Sequence, residues 1–153
     1  QRKLPIPIKY LNTYLTNTYN LAYARNLGIQ QSIGEILIFV DDRYYLHSNF
    51  ISLMVEKLAP KKWLFGNKNG KNTFVENVSC IYRKDIIEAG MFNQSCKDYG
   101  FQSQELRNRF KAQGFKFEFI EKAKVDILMN TKNKFQKKEQ IYRAKNALWR
   151  LGL

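Results

Sequence analysis

Five apolar residues in an unbroken run, ILIFV at residues 36–40, lead directly into the carboxylates of Asp41 and Asp42. Entered from Gly34 and Glu35, such a run predicts a parallel strand buried on both faces, since a sheet with one wet side would alternate apolar and polar residues. The flanking segments follow helical spacing instead. Leu21, Ala24 and Gly28 share one side of a helix that Thr16, Asn17 or Thr18 would cap and Gly34 would end. Ile51, Met54, Val55 and Leu58 recur at three-and-four intervals on a second helix, capped by Ser48 or Asn49 and stopped by Pro60. Residues 9–12 close a short strand ahead of both. Residues 63–65 and 78–82 predict strands around the turn-forming NKNGKN loop at 67–72, and 116–120 and 124–128 predict two more. A short helix over residues 85–89 closes at Gly90, and a longer one opens near Ser103 and runs through Leu106 and Phe110 to Gly114. A last helix sets Ile141, Ala144, Leu148 and Leu151 on one face. Helices and strands alternate without repeats, which is the pattern of an α/β fold.

Composition sharpens this picture. With 153 residues, 44% of them hydrophobic and 14% aromatic, the chain is long and apolar enough for one domain with a true core. No apolar run approaches the roughly 20 residues needed to span a bilayer, and no signal peptide is recognisable, so a cytoplasmic location is expected. Cys80 and Cys96 lack paired metal-ligand spacing and read as reduced thiols. The first residue, Gln1, suggests a processed or excised piece.

Charge adds a partner question. The net charge of +13 would suit nucleic acid, an anionic membrane surface or a phosphorylated small substrate. Lys61, Lys62, Lys68 and Lys71 flank one basic loop, while Lys132, Lys134, Lys137, Lys138, Arg143, Lys145 and Arg150 crowd the final segment against Glu139 alone. That segment reads either as an amphipathic helix drawn to an anionic membrane or as a domain-closing helix with a solvated face. Nucleic acid is the weakest of the three partners, because no recognised reading motif accompanies the charge.

The chemistry concentrates at Asp41 and Asp42, because open α/β sheets bind ligands beyond the carboxyl ends of their strands. Two adjacent carboxylates with only Arg43 beside them would hold a divalent cation, or else Asp41 caps the following turn. His47, the sole histidine, reads as a loop residue.

Four segments in order carry a resemblance. ARNLGIQQSIGEILIFVDD at residues 24–42 resembles the signature of family 2 glycosyltransferases of the GT-A fold, where an alanine-arginine-asparagine helix precedes a strand ending in the DxD motif. ENVSCIYRKDIIEAGMFNQS at 76–95 is similar to the family's acceptor-side segment, YGFQSQELRNRFKAQGFKF at 99–117 to the helix opening with the catalytic glutamate-aspartate pair, and IYRAKNALWRLGL at 141–153 to the closing helix of bacterial polysaccharide transferases.

The resemblance implies a GT-A-like α/β fold, a mixed sheet flanked by helices and lacking the first two βα units, over residues 1–130, followed by a basic amphipathic helix at 131–153. It implies transfer of a sugar, with inversion, from a nucleotide-sugar donor to a glycan or lipid-linked acceptor of a bacterial surface polysaccharide, on the inner face of the membrane. Mn2+ or Mg2+ would be held by Asp41 and Asp42, with Asp126 where some members place a histidine. Arg25, Asn26, Asp41, Asp42 and Arg43 fall at donor-binding positions, and Asn77, Ser79, Tyr99 and Gly100 on the acceptor side. Gln102 and Ser103 occupy the positions of the glutamate-aspartate pair, and neither is a general base at neutral pH. Glu105 and Asp98 are the nearby carboxylates that could substitute. Arg43 stands where many members carry a third aspartate, and Asn93 and Gln94 replace an acidic pair. These losses favour a competing reading, a pseudo-transferase that binds a glycan, a nucleotide sugar or a partner enzyme. The missing units would leave a sheet edge to be completed by an amino-terminal half or a second subunit.

Overall fold

The computed structural model describes residues 9–14, 20–68, 76–96 and 101–127. The basic helix after residue 130, the cap at Thr16, Asn17 or Thr18, and most of the NKNGKN turn lie outside them. The order of elements is α1 (Leu21–Gln31), β1 (Ile36–Val40), β2 (Tyr44–Leu46), α2 (Phe50–Lys57), β3 (Lys62–Lys68), β4 (Val78–Tyr82), α3 (Arg83–Glu88), α4 (Phe101–Ala112) and β5 (Lys116–Ile127). The five strands form one mixed sheet in the order β1-β4-β3-β5-β2.

The sheet is covered on both faces. Ala22 and Ile29 of α1, Ile86 of α3 and Leu106 and Phe110 of α4 pack with Leu37, Trp63, Phe65 and Ile81 on one side. Phe50 and Met54 of α2 pack with Leu58, Leu64, Val78, Cys80 and Val125 on the other. Successive strand residues point to opposite faces, so every position of a doubly covered strand needs an apolar side chain. This accounts for ILIFV. Leu37 and Phe39 reach the first core, Ile36 and Ile38 the second.

The predicted parallel direction of β1 is corrected. It runs antiparallel to β4, with Ile36 opposite Tyr82 and Val40 opposite Val78, and β4 is its one strand neighbour among the described residues. An apolar run reports two covered faces, which a strand of either direction satisfies.

The helices shift in detail. Asn20 caps α1, its Oδ1 accepting from the Tyr23 N–H at 2.8 Å, and the helix ends at Ser32 before Gly34. Its buried face is Ala22, Asn26 and Ile29, offset from Leu21, Ala24 and Gly28. In α2 the buried stripe is Phe50, Met54 and, at the C-cap, Leu58, leaving Ile51 and Val55 exposed. Residues 9–12 form no strand. Gly90 and Gly114 follow α3 and α4 with φ of +90° and +80°, where side chains are strained.

The two strands predicted at 116–120 and 124–128 are one, β5, with a break in register. Along β3, Ile120 lies opposite Gly66 and Lys124 opposite the next residue, Asn67. The odd number of extra residues reverses the alternation. Phe117 and Phe119 face the first core, whereas Ala123 and Val125 join the second.

Candidate functional site

Because β1 and β4 are antiparallel, the end of β1 meets the start of β4, and Asp41 meets Asn77. The Asp41 N–H donates to the Asn77 carbonyl at 3.2 Å, and the Asn77 Nδ2 donates to Asp41 Oδ2. Arg43 Nη2 donates to the same oxygen at 2.9 Å across a turn closed by the Tyr44 N–H on the Asp41 carbonyl. Asp42 is exposed. The Tyr44 ring lies against the second core, and two cations approach it: the Arg43 guanidinium at 5.4 Å and the Lys68 ammonium at 5.2 Å. The Tyr44 hydroxyl and Asn77 Oδ1 are buried with no hydrogen-bond partner among the described residues.

Asp126 lies elsewhere in the bonding pattern. Its Oδ2 is 3.0 Å from His47 Nε2, so His47, in the loop that follows β2 as expected, ties that loop to β5. Among the described residues no three His, Cys, Asp or Glu side chains form a group that could hold a metal. The expected set of Asp41, Asp42 and Asp126 is therefore not assembled. The donor set at β1 does not fit Mn2+ or Mg2+ either. Asp41 Oδ2 already accepts from a guanidinium and an amide, which leaves Oδ1 and the exposed Asp42 carboxylate, and a divalent cation there would face the Arg43 charge.

The second locus is the start of α4. Gln102 is only 2% exposed, packed inward on the face of Leu106 and Phe110. Ser103 lies within the first turn of α4 and so is not its N-cap; its Oγ is 3.5 Å from Arg25 Nη1. Glu105 is held in a fork, Oε1 accepting from Arg109 Nε at 2.8 Å and Oε2 from Nη2 at 3.0 Å. Arg109 also donates to the carbonyls of Ala89 and Met91. An open cleft of about 400 Å³ lies here, bordered by Asn26, Asn93, Gln94, Glu105 and Arg109. Asp98, Tyr99 and Gly100 lie outside the described residues.

The arginine and asparagine of α1 bolt this locus together. Asn26 is 3% exposed; its Nδ2 donates to the Phe92 carbonyl at 2.8 Å and its Oδ1 accepts from the Phe92 N–H at 2.9 Å. The Arg25 guanidinium lies 5.1 Å from the centre of the Phe92 ring. Ser79 is buried within β4, its hydroxyl donating to the Glu76 carbonyl at 2.7 Å.

Glu76 also forms a largely buried ion pair with Arg107 of α4, which links the two loci. Burial holds the Arg107 pKa below its ordinary value. Sequence reasoning missed this pair and missed Tyr44 and Lys68 at the strand end. The one available signal for Lys68 was its place in the basic loop; nothing local marks Tyr44 as the ring that Lys68 meets.

Neither a protein-family model nor a curated protein sequence matches the chain. Among solved structures it is similar to the crystal structure of GalNAc-T7 with UDP, GalNAc and Mn2+, a glycosyltransferase of the GT-A fold. The TM-score is 0.57 at 14% identity, over 71% of this chain and 30% of that one. The likeness shows a GT-A-like fold, and the chain spans less than a third of the length of that structure. No helix among the described residues is long and apolar enough to cross a membrane.

Proposed function

We propose that the chain is a glycosyltransferase-type domain that holds a nucleotide-sugar donor at the carboxyl end of β1 and serves inverting transfer to a glycan or lipid-linked acceptor. The observation that carries this reading is the position of Asp41, at a strand end beside Asn77 in a GT-A-like sheet, where such folds place ligands. The GalNAc-T7 structure contains UDP and GalNAc, which supports a nucleotide-sugar as the donor class.

A second reading, donor binding without transfer, is favoured by the start of α4. Gln102 is buried, Ser103 meets Arg25, and both Glu105 oxygens are taken by Arg109. An acceptor hydroxyl would find no unoccupied carboxylate among these three.

Calorimetry with UDP and other nucleoside diphosphates tests the first reading; no binding to any of them rejects it. A transfer assay with Ser103→Asp separates the two. General-base assistance contributes about 10² to 10⁴-fold, so the variant should gain at least about 10²-fold over a very slow native chain. Position 103 is the informative one, because Gln102→Glu would bury a carboxylate. Fast transfer by the native chain, unchanged by Ser103→Asp, rejects the second reading.

A further inference from the structure

We infer that Arg43 and Lys68, gathered on the ring of Tyr44, bind the donor diphosphate directly, so that this site takes its nucleotide without a divalent metal ion. The inference rests on the donor-binding reading above and deepens it.

The charge balance comes first. A metal-dependent diphosphate site offers one or two carboxylates to a cation that the substrate phosphates also hold, and a fixed positive charge beside those carboxylates opposes the cation. Here Asp41 and Asp42 are matched by Arg43 and Lys68, and Asp41 is already engaged by Arg43 at 2.9 Å. The positive charge that a metal would bring is built into the chain.

Geometry supplies the second part. Both cations lie within 5.4 Å of the centre of the same ring, which gathers two positive groups around Tyr44. The guanidinium can donate two parallel hydrogen bonds to a phosphate, and the ammonium acts as a point charge on the neighbouring one. Tyr44 is 6% exposed and anchored in the second core, so it fixes the platform on which both flexible side chains rest. That lowers the ordering cost of binding.

Buried polar atoms supply the third. Buried groups are nearly always hydrogen-bonded, yet the Tyr44 hydroxyl and Asn77 Oδ1 have no partner among the described residues. The hydroxyl can donate to a phosphate oxygen, and the amide oxygen can accept from a sugar hydroxyl. Asp41 becomes a positioning residue that aims Arg43. Its negative charge then opposes the ligand, which reverses the sign expected of a metal-binding aspartate.

The test is calorimetry of the full chain with UDP and, separately, inorganic pyrophosphate, each in EDTA and in excess MnCl2. Affinity in EDTA should be at least as high as in MnCl2, where Mn2+ bound to the free ligand competes with the clamp. Arg43→Gln and Lys68→Gln should each weaken both ligands about tenfold, as expected for loss of a charged hydrogen bond. Lys84→Gln, an exposed charge on α3, should change neither, which controls for the overall basic field. Asp41→Asn should tighten pyrophosphate binding. Circular dichroism and unfolding curves confirm that each variant folds. UDP binding that disappears on chelation and on Asp41→Asn overturns the clamp while leaving the donor reading intact. Binding indifferent to Arg43→Gln and Lys68→Gln overturns it as well, as does failure to bind either ligand. Pyrophosphate binding that depends on both cations, without UDP binding, supports the clamp and rejects only the donor reading.

Discussion

Replacing Asn26 by alanine isolates a contact that holds α1 to the turn between α3 and α4. Its side-chain amide matches the Phe92 backbone on both sides, giving a donor to the carbonyl and an acceptor to the N–H, with Asn26 3% and Phe92 2% exposed. Alanine leaves both backbone groups unsatisfied in a dry environment, at about 1–3 kcal/mol each. Partial relaxation of the turn brings the expected total to roughly 3 kcal/mol, a large share of the 5–15 kcal/mol typical of a domain. For a chain of this size that corresponds to a fall of about 6–12 °C in Tm. Urea unfolding followed by circular dichroism reads it directly, with an unchanged slope showing that the unfolded state is unaffected. Asn26→Asp should be at least as damaging at neutral pH, because it keeps the acceptor, loses the donor and sets a carboxylate against the Phe92 carbonyl. A loss below about 0.5 kcal/mol, the scale of ordinary surface changes, would refute the reasoning. Weakened UDP binding with unaltered stability would refute it more pointedly, since Asn26 would then be a ligand contact.

Gly66→Ala should cost about 1–3 kcal/mol in thermal unfolding, because a Cβ there would stand 2.7 Å from Phe50 Cε2 and 2.8 Å from Val78 Cγ1; full stability would mean that both side chains yield freely. Burial pushes the Cys80 thiol from 9.0 up to about 12, so above pH 9 the unfolded chain gives up this proton first and stability falls by as much as about 1.4 kcal/mol per pH unit. Cys80→Ala should remove that part of the slope, and in the native state thiol reagents should modify Cys96 while sparing Cys80; equal labelling of the two contradicts the burial argument.

The α/β class and most elements were legible because local chemistry marks them. Gly90 and Gly114 end α3 and α4, and doubly covered strands announce themselves as continuous apolar runs. Which stripe of α2 turns inward was not legible: Ile51 and Val55 are spaced like Phe50 and Met54, and only the sheet beneath decides between them. Asn26 sits on a buried helix face because Phe92, far along the chain, needs its amide, and no local pattern records that need. At the candidate site, Asp41 and Asn77 were both singled out and are hydrogen-bonded to each other. Their setting was not foreseen, because Arg43 pairs back onto Asp41, Asp126 turns to His47, and Lys68 arrives from a different strand.

The side of β1 away from β4, which no strand among the described residues pairs, makes the stability of this domain a shared quantity. Residues 36–40 carry no charge, proline or bulge of the kind that protects exposed strands from pairing. A strand that docks there recognises only the folded sheet, and by mass action it raises the apparent unfolding free energy by about 2.7 kcal/mol at a hundred times its Kd. A Tm that climbs with protein or partner concentration would register such docking, and one that stays flat would mark an edge left unpaired in solution. If a partner strand docks there, a single melting curve of the isolated chain gives a lower bound on the stability of the docked sheet.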